Sequence, residues 1–145
     1  MLSSDLKWVV VWVWALWLSL VTIMNVCESL IALKVLPASF KFASSNWTLL
    51  RNVCGIYDTP RAIVALMFVA AIVAEAVASA LLWIAAFRQD MPAADAGFGL
   101  MMTLWGGFLI MSQFFRSFVV NPAIPEAHRS IFGVCLLSWM ALHLL

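Results

Sequence analysis

The sequence predicts an all-α membrane protein, a four-transmembrane-helix antiparallel bundle with a short interfacial segment in its first loop. Three observations predict it. Of 145 residues, 66% are hydrophobic and 10% charged, whereas a soluble domain is nearer half apolar and a quarter charged. The apolar residues gather in runs of about the 20 residues a helix needs to cross a bilayer core. Eight Trp and ten Phe accompany them, and aromatic side chains favour the two membrane–water interfaces.

The first run extends from Trp8 to Leu33. A signal peptide has a shorter apolar region of ~7–15 residues and a small-residue cleavage site, so this run reads as a retained span. Pro37 stops it. In the following loop, Lys34 to Pro60, Ser45 is placed to cap a short helix. That helix puts Trp47, Leu50 and Cys54 on one face and Arg51 and Asn52 on the other, the pattern of a segment lying on headgroups. The second span, 62–87, follows Pro60 and is rich in alanine. The third, 98–120, is closed by Asn121-Pro122. The fourth, 126–145, opens at Pro125-Glu126, with proline pre-set for a helix start and an acid at its positive end. Together they make a single integral membrane domain over residues 1–145.

An even number of spans puts both termini on one side, with Lys7 and Arg88. The other side holds Lys34, Lys41, Arg51, Arg61, Arg116 and Arg129. Short loops rich in Lys and Arg stay cytoplasmic, so both termini are expected on the non-cytoplasmic side. A net charge of +1 without any Lys/Arg run argues against nucleic acid as a partner. The lipid bilayer is the first expected partner.

Helices in lipid associate through small residues. Ala70, Ala74 and Ala78 in the second span, and Gly99, Thr103 and Gly107 in the third, recur every four residues. Both stripes are expected to face other helices. Trp8 and Trp12 fall on one face of the first span and Trp14 and Trp17 on another. They cannot all point inward, so these tryptophans are expected to meet lipid or a partner subunit.

A carboxylate near the bilayer centre costs ~2.5–3.5 kcal/mol, which makes intramembrane ionisable residues functional candidates. Glu75 lies near the middle of the second span. Asn25 and Glu28 come late in the first, Gln113 and Arg116 at the same level of the third, and His128 at the start of the fourth. These six form an expected polar cluster, with Arg116 placed to pair with Glu28. As a set they suit a structural network, a proton or ion path through Glu75, or, less readily, a metal held by Glu28, Glu75 and His128.

Cofactor chemistry finds little support. The two histidines, His128 and His143, are about 22 Å apart along one helix, so a b-type haem held by paired histidines within this chain is excluded. A single-histidine pigment or a haem shared with another subunit is not. Cys27, Cys54 and Cys135 are odd in number, form no CxxC pair and read as small apolar fillers. No nucleophile elbow, phosphate loop or helical HExxH is present, so no catalytic residue is assigned.

Asn25-x-x-Glu28, Glu75, Leu104-Trp105 and the basic-aromatic start of the last span, Arg129-Ser130-Ile131-Phe132, give the chain a recognisable plan. It resembles a four-helix family of bacterial small integral membrane proteins of unknown function. The resemblance covers the whole plan and implies topology, in a cell inner membrane, without implying an activity. Three functions are expected. The chain is an accessory or scaffold subunit joined to other membrane subunits or to itself as a homo-oligomer. Alternatively it is a small proton- or ion-coupled transporter centred on Glu75, or a membrane-embedded quinone, pigment or metal binder.

Overall fold

In the computed structural model, which describes residues 4–144, the chain is helical almost throughout. The order is α1 (Ser4–Ala32), α2 (Asn46–Cys54), a 3-10 turn at Gly55–Tyr57, α3 (Arg61–Arg88), α4 (Met91–Phe114), α5 (Ser117–Val120) and α6 (Ala123–Leu144). Three helices are long and apolar enough to cross a membrane: Leu6–Ala32, Arg61–Arg88 and Met91–Phe114. Helix α6 is not one of them. It opens with Glu126, His128 and Arg129 and closes with His143, which dilutes its apolar character. Leu145, the last residue of the expected fourth span, lies outside the described residues.

Helices α1 and α3 run antiparallel, since Trp12 meets Phe87 at one end and Asn25 meets Glu75 toward the other. Helix α4 packs on α3, and α6 on α4, each again reversed. Helices α1 and α6 meet only slightly. Both ends of the described chain therefore lie at one end of the bundle, called here the termini end. The opposite, loop end carries α2 and α5.

The helix limits have local causes. Helix α1 stops at Ala32, before Pro37, because Lys34 adopts a left-handed conformation (φ 61°) while Val35 and Leu36 donate backwards to the Leu30 carbonyl. Helix α4 starts seven residues before the expected Phe98. Asp90 supplies the N-cap, its side chain accepting from the Ala93 N–H, and Pro92 occupies the first turn. The helix then ends at Phe114 rather than Val120, because Arg116 turns left-handed (φ 50°) and α5 follows as a separate turn.

The core lies between α1, α3 and α4, on Val11, Ala15, Leu18, Leu82, Phe98 and Met101. A second, smaller core at the loop end joins Trp47, Val53 and Cys54 of α2 to Val64 and Phe68 of α3, with Phe115 and Ile124. No more than a third of each long apolar span is buried within the chain. Exposed Val13, Leu66 and Ile110 on the outer faces suit contact with lipid tails.

Two expectations about faces are corrected here. Trp8 is buried in the main core (8% exposed), while Trp14 and Trp17 pack partly against it, beside Phe98 and Trp105. Trp12 alone of the four is exposed, though it also touches Trp83 and Phe87. Facing helices supply aromatic partners that a helical wheel of α1 cannot reveal. The glycine stripe is also misplaced. A Cβ added at Gly99 or Gly107 would meet nothing within 4 Å, and Thr103 is exposed. The buried face of α4 instead runs through Ala94, Gly97, Phe98, Met101 and Trp105, on the other side of the helix. Of the alanine stripe, Ala78 is buried, Ala74 half-buried and Ala70 exposed.

Close approach of α3 and α4 occurs at Gly97, where an added Cβ would lie 2.9 Å from Leu82 Cγ and Cδ2 and 3.4 Å from the Ala78 carbonyl oxygen. Leu82 is fully buried and has little room to yield. Gly97→Ala should therefore be less stable than Gly107→Ala by about 1–3 kcal/mol in reversible unfolding from detergent. Equal stabilities would mean that the α3–α4 contact is looser than described.

Candidate functional site

The polar groups of α1 and α3 form a seam between the two helices. Near its middle Ser19 and Ser79 share a hydrogen bond of 2.8 Å, and the Trp83 indole N–H donates to Ser19 Oγ at 2.9 Å. Further toward the loop end, Asn25 Nδ2 donates to both oxygens of Glu75, at 2.9 and 3.2 Å. Bonds of this kind join neighbouring helices side chain to side chain.

The seam continues into the first loop. Asn25 Oδ1 lies 2.7 Å from Ser44 Oγ and accepts from Asn46 Nδ2 at 2.8 Å. The Ser44 backbone N–H donates to the Met24 carbonyl, which straps the loop to α1. Glu28, one turn beyond Asn25, accepts from the backbone N–H groups of Trp47 at 2.9 Å and Thr48 at 3.2 Å. Those are the second and third residues of α2, so a carboxylate from one helix caps the N-terminus of another. There it satisfies two otherwise orphaned donors and meets the positive end of the helix dipole. Ser45, the expected cap, occupies the N-cap position but makes no side-chain bond to the helix.

Capped in this way, α2 lies against the bundle with Trp47, Val53 and Cys54 buried. Burial pushes the Cys54 thiol above its ordinary pKa, because the thiolate would lose its hydration. Arg51 and Asn52 face out as expected, with the Arg51 guanidinium carbon 5.9 Å from the centre of the Trp47 ring.

Of the six residues in the expected cluster, the structure brings together three: Asn25, Glu28 and Glu75. The other three stand elsewhere. Arg116 is exposed beyond the end of α4, and the Glu28 oxygens are engaged by Ser44, Trp47 and Thr48, so the Glu28–Arg116 pair does not form. Gln113 is exposed too, because Ser112 beside it takes the buried face. His128 sits with Ser112, its Nδ1 3.3 Å from the hydroxyl, and against the Phe108 ring. Among the described residues no three of His, Cys, Asp and Glu converge as metal ligands would.

Two groups escaped the sequence reading. Ser44 lies in the loop and Asn46 opens α2, and no helical periodicity links either to Asn25. At the termini end, Asp95 Oδ1 accepts from the Trp139 indole N–H at 2.9 Å and lies 2.7 Å from His143 Nε2. Trp139 and His143 are four residues apart on one face of α6, a spacing that offered a signal.

No family model, curated protein or solved structure matches the chain.

Losing an N-cap costs about 0.5–2 kcal/mol, and one to two kcal/mol is a factor of about 5–30 in an equilibrium. In Glu28→Ala, alkylation of Cys54, followed by peptide mass spectrometry, should accelerate by about 2–30-fold as α2 lifts more often. Ser45→Ala should leave the rate unchanged. Equal rates in all three proteins would remove Glu28 from the docking of α2.

Proposed function

We propose that this chain is a polytopic membrane protein of four crossing helices, α6 being the fourth, and that it serves as an accessory or scaffold subunit of a larger membrane assembly. One observation carries the reading. The buried polar groups of the seam, Asn25, Glu28 and Glu75, are engaged in holding helices and loop together, while the flanks offered to the surroundings are largely apolar. Such flanks suit contact with lipid tails and with other apolar helices, its own copies included. The loop end carries Lys34, Lys41, Arg51, Arg61, Arg116 and Arg129, all exposed. That bias favours a cytoplasmic loop end in an inner membrane, with both termini opposite. The resemblance to the small four-helix membrane family is part of the same proposal and supplies topology only.

Extraction of the tagged protein in mild detergent should recover it in an assembly well above its own 16.1 kDa, with stoichiometric partners or several copies identified by mass spectrometry. A lone monomer under those conditions would count against the scaffold reading.

A second reading has one observation in its favour. An open groove at the loop end is lined by Val21, Met24, Asn25, Ser44 and Asn46, and it reaches the amide that binds Glu75. In a proton- or ion-coupled transporter, Glu75→Gln would abolish transport in liposomes while leaving the fold intact. Unchanged flux would remove Glu75 from any transport step.

A further inference from the structure

Glu28 is 6% and Glu75 3% exposed, and both reach Asn25, Glu75 directly and Glu28 through Ser44. No cation balances them. Among the described residues the contacts between acidic and basic side chains are Arg129–Glu126 and His143–Asp95, both outside the seam. The groups that face the two acids are Asn25 from α1, Ser44 from the loop, and Asn46 with the Trp47 and Thr48 N–H groups from the start of α2. Ser79 follows Glu75 one turn along α3, bonded to Ser19. The nearest charged residue of α2, Arg51, is exposed and lies against the Trp47 ring. The polar pair between α4 and α6, Ser112 and His128, is closed on itself.

Hydrogen-bond counting then fixes the number of protons. Ser44 Oγ lies 2.7 Å from Asn25 Oδ1 and 2.5 Å from Glu28 Oε2. A hydroxyl has one proton and fills one of these gaps; an amide oxygen and an ionised carboxylate have none to fill the other. Two arrangements fill both. In the first, Asn25 keeps Nδ2 toward an ionised Glu75, Ser44 donates to Asn25 Oδ1, and a protonated Glu28 donates to Ser44. In the second, the Asn25 amide is turned by half a rotation. Its Nδ2 then donates to Ser44 and to the oxygen of a likewise turned Asn46. Ser44 donates to an ionised Glu28, and a protonated Glu75 donates to Asn25 Oδ1. Amide oxygen and nitrogen are nearly the same size, so the turn disturbs no packing.

Each arrangement contains one carboxyl proton. With none, two acceptor oxygens face each other across an empty gap. With two, one acid proton is buried without an acceptor. We infer that Glu28 and Glu75 together form a single proton-binding site, holding one proton that exchanges with water through the groove at Asn25, Ser44 and Asn46. The position of the proton sets the orientation of the Asn25 amide. When it sits on Glu75, the full carboxylate charge of Glu28 stands at the N-terminus of α2, and when it sits on Glu28 that charge is removed. The inference goes beyond the scaffold reading and stands whether or not the chain has partner subunits.

The test is infrared spectroscopy of the purified full-length chain in lipid bilayers at neutral pH. Exposed carboxyls ionise near pH 4 and are silent in the protonated-acid carbonyl band there. The expected intensity is one protonated carboxylic acid per chain. Glu28→Gln and Glu75→Gln should each abolish the whole band, because glutamine replaces the neutral partner and the remaining glutamate becomes the anion. A band worth no acid or two acids in the unsubstituted chain would overturn the proposal. So would a band that survives in either variant, which would mean one isolated acid rather than a shared site. Should either variant fail to fold, the intensity in the unsubstituted chain still decides between one proton and none or two.

Discussion

A carboxyl group buried between apolar helices loses most of its water, so the protein must supply solvation in its place. In this chain one amide meets that need. Asn25 binds Glu75 of α3 through its nitrogen, and its oxygen lies within reach of Ser44 and Asn46 of the first loop. Through Ser44 it also reaches Glu28, which caps α2. The register of α1 on α3 and the docking of the loop both depend on these bonds. A shift of either helix by one residue would turn Glu75 or Asn25 away from the interface and leave a buried polar group unpaired. Polar groups that fix register in this way are a known use of an otherwise costly burial.

The seam also explains why the two cores differ. Toward the termini end, α1, α3 and α4 close on large apolar side chains such as Leu18, Leu82 and Phe98, with α3 and α4 brought together at Gly97. Toward the loop end the helix interface is polar, and the loop is drawn onto it. The apolar underside of α2 then finds Val64 and Phe68 of α3 and forms the second core. The Glu28 cap and the burial of Trp47, Val53 and Cys54 reinforce each other, since each holds α2 in the place the other requires.

Much of the fold was legible in residue order. Length and apolarity located the long helices, and Pro60 marked the start of α3 within a residue. Glu75, Asn25 and Glu28 stood out because polar groups in an apolar run are costly. What escaped depends on neighbours in space. The start of α4 was hidden because Asp90-Met91-Pro92 reads as a loop until its capping bond is seen. Small-residue spacing found the face of α3 in part, through Ala78, but not that of α4, where Gly97, outside the stripe, makes the contact. Ser44 and Asn46 carry no periodic signal, and only the folding back of the loop brings them to Asn25. Arg116 was assigned to Glu28 by charge and depth alone, while backbone N–H groups of α2 satisfied that acid first.

The most direct test of the account is a double-mutant cycle between Asn25 and Glu75, read as unfolding free energy in detergent or bilayer. Asn25→Leu and Glu75→Leu each leave the other group buried without its main partner, and each should destabilise by about 1–3 kcal/mol. The double variant removes both groups together. It should recover most of that loss, giving a coupling of about 0.5–3 kcal/mol. Additive losses with no coupling would contradict the claim that this bond sets the helix register on which the loop, α2 and the shared proton depend.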